Sequence, residues 1–432
     1  MIAEYFGFEK LHTNFKTEFI AGLTTFFTMC YILVVNPKIL SAAGIPFDAS
    51  LAATAVTSAV GSILMGLYAK RPFAVAPYMG ENAFIAFTVV LLLGYTWQQA
   101  LAGLFIAGIV FFILTVFKVR SWLVNMIPMT LKLSFSAGLG MFLAFIGLLE
   151  TGIIRVGKGS PLQIGDFSDP AVLLAVLGIA LTLILMIRKV KAHFLISIIS
   201  VSVLGLILGL IQVPQHLVSA PASLGPTFGK IDIAGIMNWK SVPIIFINLM
   251  IVFVDTMGTL IGVSNRAGLL DENKNLPEIE KPMAVDAVST SLAAFLGTTT
   301  SGAYLESAAG IEAGGRSGLT AVTVGLLMLL GLFFSPLFSM IPAFAYGSVL
   351  FVVGLMMITS AGEINFKDDT EIIPALFVIL FILLSYNMGI GMAVGFVVYP
   401  LLKVFSGRGR ETNAAQWIMF ALSLLFFIFY PY

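Results

Sequence analysis

The chain has 432 residues, of which 59% are hydrophobic and only 10% are charged, and its mean hydropathy is +1.03. A soluble domain carries about 25% charged residues, so this composition excludes an ordinary soluble protein and indicates a protein that crosses a lipid bilayer many times. The formal net charge of +1 argues against a nucleic-acid partner. With one cysteine and three scattered histidines, the sequence predicts no disulfide, no metal site and no cofactor.

Apolar segments recur from one end of the chain to the other and predict an all-α polytopic membrane protein with fourteen transmembrane segments. In chain order the predicted spans are 18–36, 49–69, 73–93, 97–117, 126–149, 171–187, 194–213, 241–263, 283–297, 302–314, 317–334, 342–359, 371–386 and 389–405. A further apolar segment at 415–430 fits either an interfacial helix or an extra half-span.

The positive charges are distributed unevenly between the connections of this map. Of the 23 lysines and arginines, Lys132 falls within a span and only five fall on the side opposite the N-terminus, namely Lys38, Arg155, Lys158, Lys230 and Lys240. The remaining 17 fall on the side of the N-terminus. Because cytoplasmic loops carry an excess of lysine and arginine, we expect a multi-pass protein of the cell membrane with a cytoplasmic N-terminus.

The chain divides into two halves of seven predicted spans. The connection 214–240, which is rich in proline and glycine, separates the seventh span from the eighth. An odd number of spans in each half forces the halves into opposite orientations, and such inverted repeats are a transporter architecture. The sequence therefore predicts a 7+7 inverted repeat.

The third span of each half contains an unusual polar break. The first has the sequence YMGENA at Tyr78–Ala83, and the second has YLESAAG at Tyr304–Gly310. Non-helical backbone is tolerated at membrane depth only where protein buries it or where it lines a wet cavity. Short, broken segments at corresponding places in spans 3 and 10 therefore predict a binding site near the bilayer midplane.

Five acids lie deep within the predicted spans, where each costs about 2.5–3.5 kcal/mol on insertion scales and is a functional candidate by default. They are Glu81, Asp255, Asp286, Glu306 and Glu312. We expect Asp255 and Glu306 to act at the site, Asp286 to be structural, and Glu312 to pair with Arg316 four residues later. Glu81 fits either the cavity or a hydroxyl-lined helix interface.

Two carboxylates, an amide and an aromatic ring suit a small, planar ligand that is rich in N–H donors, and nucleobases have such edges. The candidate substrate-binding residues are Thr28, Asn82, Ala83, Asp255, Tyr304, Glu306 and Ser307. A carboxylate in a low dielectric has its protonation linked to its surroundings, so Glu81, Asp255 and Glu306 are candidates for coupling transport to a proton.

Four motifs resemble the AzgA-like branch of the nucleobase–cation symporter-2 family, the permeases for hypoxanthine, guanine and adenine. They are AGLTTFFTMCYILVVNP (21–37), GENAF (80–84), VDTMGTLIG (254–262) and AYLESAAGIEAGGRSGLTAV (303–322). The resemblance implies that Asn82, Asp255, Tyr304 and Glu306 hold the substrate. It also implies purine/proton symport by a homodimer in which a core domain slides against a gate domain.

On this resemblance the core comprises residues 1–120 (spans 1–4) and 241–335 (spans 8–11). The gate comprises residues 121–240 (spans 5–7) and 336–432 (spans 12–14 and the last apolar segment). Two acids depart from the family pattern. The third span reads YMGENA where the family usually has GMGLNA, which adds Glu81, and Glu312 stands where a small residue is usual.

Three alternatives stay open on the residues alone. A carrier of another planar or anionic solute on the same fold is the first, although anion sites favour bare helix N-termini and a cation. A cation channel lined by acids is the second. An intramembrane aspartyl protease would need two aspartates that share a proton, and its Gly-x-Gly-Asp motif is absent from the sequence. We therefore expect a transporter rather than an enzyme.

Overall fold

The computed structural model describes residues 2–117, 127–157, 162–212, 214, 216–239, 241–271, 276–385 and 387–429. Within these residues, eight helices are long and apolar enough to cross a membrane, and four shorter apolar helices accompany them. The chain is therefore a multi-pass, mostly helical membrane protein. The count of fourteen spans stays a prediction.

The first half begins with α1 (Phe15–Met29) and contains one short strand at its first break. The elements that follow are α2 (Ile32–Ala42), α3 (Phe47–Leu67), β1 (Val75–Pro77), α4 (Met79–Ala83) with its π-helical continuation Phe84–Leu92, α5 (Trp97–Val116), α6 (Met129–Glu150), β2 (Ile154–Val156), β3 (Leu162–Ile164), α7 (Pro170–Ile187) and α8 (His193–Ile207).

The second half begins with α9 (Val242–Ala267) and again has one strand at its break. It continues with α10 (Glu280–Leu296), β4 (Ser301–Ala303), α11 (Ser307–Glu312), α12 (Gly318–Gly331), α13 (Ala343–Ile358), α14 (Asp369–Ser385), α15 (Met388–Phe405) and α16 (Ala414–Phe429). Short helical turns occupy Ile2–Tyr5, Ile233–Ile236, Leu332–Phe334, Ser335–Ser339, Thr359–Glu363 and Gly409–Glu411.

The structure departs from the predicted all-α class at four short strands. Strand β1 pairs with β4 inside the helical bundle, and β2 pairs with β3 in the connection after α6, both antiparallel. The first pair has a direct cause. Both breaks leave backbone N–H and C=O groups without helical partners in a membrane interior, and pairing the two breaks with each other satisfies those groups.

The first predicted span, 18–36, is longer than predicted and is not one continuous helix. It runs from Phe15 to Ala42 and is interrupted at Cys30 and Tyr31. At the interruption the N–H of Leu33 donates to the carbonyl of Cys30 at 3.1 Å, which is the tighter bond of a 3₁₀ turn. This local turn lies next to Tyr31, whose side chain reaches the second break.

The helices pack in two groups. In the first group α3 packs on α12 and α5 packs on α10, while α1 lies against α11 and α12. In the second group α6 packs on α13 and α14, α7 packs on α8 and α13, and α14 packs on α15. The partners in each group come from both halves of the chain, so neither group is contiguous in sequence.

Several sequence predictions fall outside the described residues. These are the domain boundaries at 120/121 and 240/241, the counted charges Lys118, Arg120, Lys158, Lys240 and Lys274, and the span ends at 126, 213, 386 and 430.

Candidate functional site

The two breaks meet in an antiparallel pair of three-residue strands. Val75 lies opposite Ala303, and Pro77 lies opposite Ser301. Two more hydrogen bonds extend the pair at its ends. The N–H of Tyr78 donates to the carbonyl of Thr300 at 2.9 Å, and the N–H of Tyr304 donates to the carbonyl of Ala74 at 2.9 Å. Each break therefore supplies the backbone partners that the other break needs.

Buried side chains fasten this strand pair to the surrounding helices. The hydroxyl of Ser307 accepts from the N–H of Ala74 at 3.0 Å, and the Asp286 carboxylate accepts from the N–H of Ala303 at 3.1 Å. The Tyr78 hydroxyl also reaches Asp286, at 3.5 Å. Asp286 thus joins α10 to both breaks, which agrees with the structural role expected for it.

A short helix follows each strand. Helix α4 begins at Met79 after β1, and α11 begins at Ser307 after β4. Because the two strands are antiparallel, the chain leaves the strand pair at opposite ends to enter the two helices. The polar residues of the two breaks therefore flank the paired strands.

At the α4 end the most unusual residue is Glu81. Its side chain is fully buried, and among the described residues neither of its carboxylate oxygens has a hydrogen-bond partner. The Thr300 hydroxyl approaches it without reaching good hydrogen-bond geometry. The half-buried Asp255 carboxyl of α9 lies close enough to interact electrostatically with both Glu81 and Tyr78.

Asn82 is fully buried beside Glu81, and only one end of its amide is occupied. Its carbonyl oxygen accepts a hydrogen bond from the Thr299 hydroxyl, whereas its NH₂ group has no partner among the described residues. An unpartnered buried donor is costly unless something binds it. Asn82 therefore has two unpartnered N–H donors, and its role in binding a substrate stays a prediction.

At the α11 end the Glu306 carboxylate is already paired. It accepts a hydrogen bond of 2.6 Å from the Tyr31 hydroxyl, and the hydroxyl of the buried Tyr304 lies close enough to interact with both residues. Glu306 is half-buried, unlike Glu81. One oxygen is held by Tyr31, so the other lone pairs of this carboxylate are the ones that a ligand would meet.

The other predicted site residues take varied positions. Ala83 is fully buried in α4, next to Asn82. Thr28 is also buried, and its hydroxyl donates to the carbonyl of Thr25 at 2.7 Å, so its donor is used within its own helix. Ser307 holds the N–H of Ala74, as described above. The roles of these three residues in binding a substrate stay predictions.

The ion pair expected between Glu312 and Arg316 stays a prediction. The Arg316 guanidinium donates to the carbonyls of Ile311 at 2.6 Å and Gly315 at 2.8 Å. The last carbonyls of a helix lack intrahelical partners, so an arginine at the C-terminal end of α11 satisfies them.

Sequence reasoning missed Glu18, a fully buried acid near the start of α1. Its carboxylate accepts from the N–H groups of Arg316 at 2.9 Å and Ser317 at 3.2 Å, and from the Thr320 hydroxyl at 2.5 Å. Glu18 therefore caps the beginning of α12 and fixes α1 against it. Its place only three residues inside α1 gave no signal of this, because an acid in the first turn of a helix is ordinary.

Sequence reasoning also missed Tyr31 and Asn36 of the first span. The buried Asn36 amide donates to the hydroxyls of Thr54 at 2.7 Å and Thr298 at 2.8 Å, so it joins α2 to α3 and to the second break. Both residues lie in the motif 21–37, where a tyrosine and an asparagine in an apolar run are the available signal.

The family of this chain follows from its similarity to known protein families. A sequence model of the Permease family (Xan_ur_permease) matches residues 16–398, which is most of the chain. The chain belongs to this Permease family. It is accordingly a membrane transporter and not an enzyme.

Curated relatives of this permease cover nearly its whole length. It is 43% identical over 431 residues to a putative permease of Methanocaldococcus jannaschii, with 100% of this chain and 98% of the relative covered. It is 39% identical to the adenine permease AdeP of Escherichia coli, with 99% and 96% covered. It is also 39% identical to the guanine/hypoxanthine permease PbuG of Bacillus subtilis, with 98% and 99% covered.

Solved structures show the same fold at low sequence identity. The transmembrane domain of the cyanobacterial bicarbonate transporter BicA has a TM-score of 0.62 at 15% identity, and 96% of each chain is covered. The murine anion transporter Slc26a9, in its inward-facing state, has a TM-score of 0.66 at 11% identity, with 91% of this permease and 69% of that chain covered.

Proposed function

We propose that this permease imports purine nucleobases (hypoxanthine, guanine, adenine, or a subset of them) across the cell membrane by symport with protons. Relatives at 38–39% identity that bear the names adenine permease and guanine/hypoxanthine permease support the substrate class. The structural observation that supports the proposal is Glu306 at the start of α11. This half-buried acid accepts a hydrogen bond from Tyr31, so it places an acceptor next to an aromatic residue where the two breaks pair.

The polar groups around the paired strands β1 and β4 offer hydrogen-bond acceptors and donors that complement those on the edge of a purine. A carboxylate accepts two parallel N–H bonds, so Glu306 and Asp255 suit the N–H groups of the base. The free NH₂ of Asn82 suits a ring nitrogen or carbonyl oxygen, and so do the first backbone N–H groups of α4, which have no intrahelical partners. The Tyr304 ring offers a face for stacking.

The proposed motion is a sliding of the core domain (1–120 and 241–335) against the gate domain (121–240 and 336–432). The separation of the helices into two packed groups supports this division, because β1 and β4 pack on α3 and α10 of the first group, and α9, which carries Asp255, packs on α5 and α11 of that group. A substrate held by one rigid group is carried across when that group moves, which is alternating access of the elevator type. We further propose a homodimer with cytoplasmic N-termini.

Uptake of labelled hypoxanthine into cells that lack their own purine carriers tests the function. Excess unlabelled adenine, guanine, uracil, sulfate and bicarbonate serve as competitors. Competition by purines alone is the expected result. Lack of uptake of any labelled purine by a well-expressed protein would contradict the proposal.

The site assignment makes a sharper prediction for Glu306→Gln. Glutamine replaces an acceptor-only group with one that also has donors, so the N–H groups of the purine lose a charged partner. A hydrogen bond to a charged group contributes about 1.5–3 kcal/mol, which corresponds to roughly 10–100-fold weaker purine affinity. Uptake kinetics at equal surface expression measure the change.

Glu150 provides a matched control for that variant. Its carboxylate accepts a hydrogen bond of 2.6 Å from Tyr346, the same length as the bond between Tyr31 and Glu306, but the pair lies between α6 and α13. Glu150→Gln is expected to leave purine affinity unchanged. Equal affinity of Glu306→Gln and wild type would remove Glu306 from the site.

Anion transport is the second candidate, because the solved structures that share the fold carry bicarbonate and other anions by their titles. The acids near the paired strands argue against anion transport, because a buried carboxylate repels an anionic substrate. Inhibition of hypoxanthine uptake by sulfate or bicarbonate, or direct uptake of either anion, would favour this candidate.

A further inference from the structure

Glu81 has a property that substrate binding alone does not explain. It is fully buried within a membrane span, and its carboxylate oxygens have no hydrogen-bond partner among the described residues. An isolated carboxylate in a low dielectric is very costly in its ionised form. Such a group needs either a cation beside it or a proton on it.

Among the described residues, the elements packed against α4 provide no cation near Glu81. Helix α9 presents Asp255, and the segment before β4 presents the Thr300 hydroxyl. Helix α6 presents the apolar Leu139, whose side chain packs against Gly80. The cation of α6, Lys132, lies seven residues earlier, which is about 10 Å along the helix.

The remaining neighbours, as far as their residues are described, also place no cation beside Glu81. Tyr78, just before α4, contacts Asp286 of α10, so α10 adds a further acid rather than a base. On α2 the single cation, Lys38, donates to the carbonyl of Ser339 at 2.8 Å and is directed away from α4. The π-helix that continues α4 has no charged residue.

Two carboxyls that share a dry site cannot both be ionised, and the usual solution is that they hold a proton between them. A metal cation would need several more oxygen ligands in an open space. Glu81 is fully buried, and the backbone beside it is closely packed, since a Cβ added at the neighbouring Gly80 would overlap the Leu139 side chain. A proton needs no such space. The unpartnered, fully buried hydroxyl of Thr300 is a second polar group directed at the same place.

We propose that Glu81 is the residue that carries the coupling proton, and that Asp255 makes this proton exchangeable as the transporter moves. This inference rests on the proposed purine transport and adds the identity of the proton carrier. In the structure described here Glu81 is neutral and holds the proton. When the site opens to water, the Glu81 carboxyl releases the proton to water, and the new negative charge repels Asp255.

The repulsion gives a mechanism for coupling. While Glu81 is protonated, Asp255 is free to ionise and to accept from the purine N–H groups. After Glu81 loses its proton on the more alkaline side, the two charges compete and purine affinity falls, so the purine leaves with the proton. One proton per purine would allow about tenfold purine accumulation for each unit of pH difference.

The test is Glu81→Gln in the full-length protein, reconstituted in proteoliposomes. Glutamine has the shape of the protonated acid but cannot release a proton. Counterflow of labelled hypoxanthine against unlabelled hypoxanthine needs no net proton movement and is expected to persist. Accumulation driven by a pH gradient of one unit is expected to fall from about tenfold to no accumulation. Glu150→Gln is the matched control and should accumulate like wild type.

The outcomes separate this inference from the function on which it rests. Absence of both counterflow and accumulation in wild type would refute purine transport itself. Undiminished pH-driven accumulation by Glu81→Gln would overturn the proton assignment alone. Accumulation by wild type that follows a sodium gradient at constant pH would also overturn it, in favour of a metal cation.

A measurement on wild type covers the case in which Glu81→Gln does not fold. Purine binding to the purified protein in weakly buffered detergent solution is followed with a pH indicator. The proposal expects proton uptake on binding at a pH at which Glu81 is deprotonated in the open site, and purine affinity that rises as the pH falls. No proton exchange between pH 5 and 9 would contradict it.

Discussion

The two half-helices α4 and α11 have the same arrangement of strand, helix and acid, but the acids differ in burial and in hydrogen bonding. Each follows a strand of the same antiparallel pair, and each has an acid near its start. Glu306 is half-buried and accepts a hydrogen bond from Tyr31 at 2.6 Å, whereas Glu81 is fully buried and has no such bond among the described residues. An acid with a donor can keep its charge for a ligand. An acid without one is suited to carry a proton.

The two half-helices also differ in the atoms that pack against their glycines. A Cβ added at Gly310 of α11 would lie 2.7 Å from the backbone carbonyl oxygen of Ala21 and would overlap the Thr25 hydroxyl. The three atoms nearest to a Cβ added at Gly80 of α4 all belong to the Leu139 side chain. Helix α11 is therefore set against rigid backbone, and α4 against a side chain that can change rotamer.

The largest expected effect comes from replacing these glycines. Gly310→Ala forces α11 away from α1, and overpacking of this kind costs about 1–3 kcal/mol or more because a backbone cannot yield. We expect loss of purine uptake together with a lowered melting temperature. Gly80→Ala is expected to keep most of its uptake. Both are measured by uptake and by thermal unfolding in detergent, and equal tolerance of the two changes would mean that the half-helices are held alike.

Tyr31→Phe should have a smaller effect that is confined to the α11 side. It removes the hydroxyl that orients Glu306, and a typical hydrogen bond contributes about 0.5–1.5 kcal/mol, so purine affinity should fall roughly 2–10-fold. The purine KM reports the change, and Tyr346→Phe, which breaks the similar bond to Glu150, is the control. A higher affinity in Tyr31→Phe would instead mean that Tyr31 competes with the purine for Glu306.

The smallest effect is expected where paired carboxylates lie outside the membrane. Arg408 bonds Asp368 at 2.6 Å and Glu411 at 2.7 Å, and these contacts lower the pKa of each carboxyl to about 2. Since the folded pKa lies below the usual value near 4, the stabilisation is complete above about pH 4 and is lost as the pH falls through 2.

Arg408→Gln should therefore lower the melting temperature slightly at pH 7 and leave purine uptake unchanged, because exposed ion pairs contribute little. The difference from wild type should shrink between pH 4 and pH 2. A difference that stayed constant over this range would mean that Arg408 stabilises the protein by packing rather than by charge.

Much of the fold and part of the site could be predicted from the sequence. The predicted spans correspond to helices or to a strand with its half-helix, and the two breaks lie where glycine, asparagine and acids interrupt apolar runs. The resemblance to purine permeases agrees with the family to which the chain belongs. The break at Tyr31 was missed, because Cys30 and Tyr31 are apolar enough to continue a hydrophobic run and no glycine or proline marks the turn.

The sequence by itself determined that the chain crosses a membrane, where the two polar breaks lie, and that Glu81 and Glu306 belong to those breaks. These features depend on composition and on local periodicity. Only the tertiary structure decided which acid has a partner. Tyr31 reaches Glu306 across 275 positions of sequence, and Glu18 reaches Ser317 across 299. Glu81 is left without a hydrogen bond among the described residues, because packing brings it an acid, Asp255, and a Thr300 hydroxyl in poor geometry. Such contacts depend on how helices from both halves pack, which local sequence does not specify.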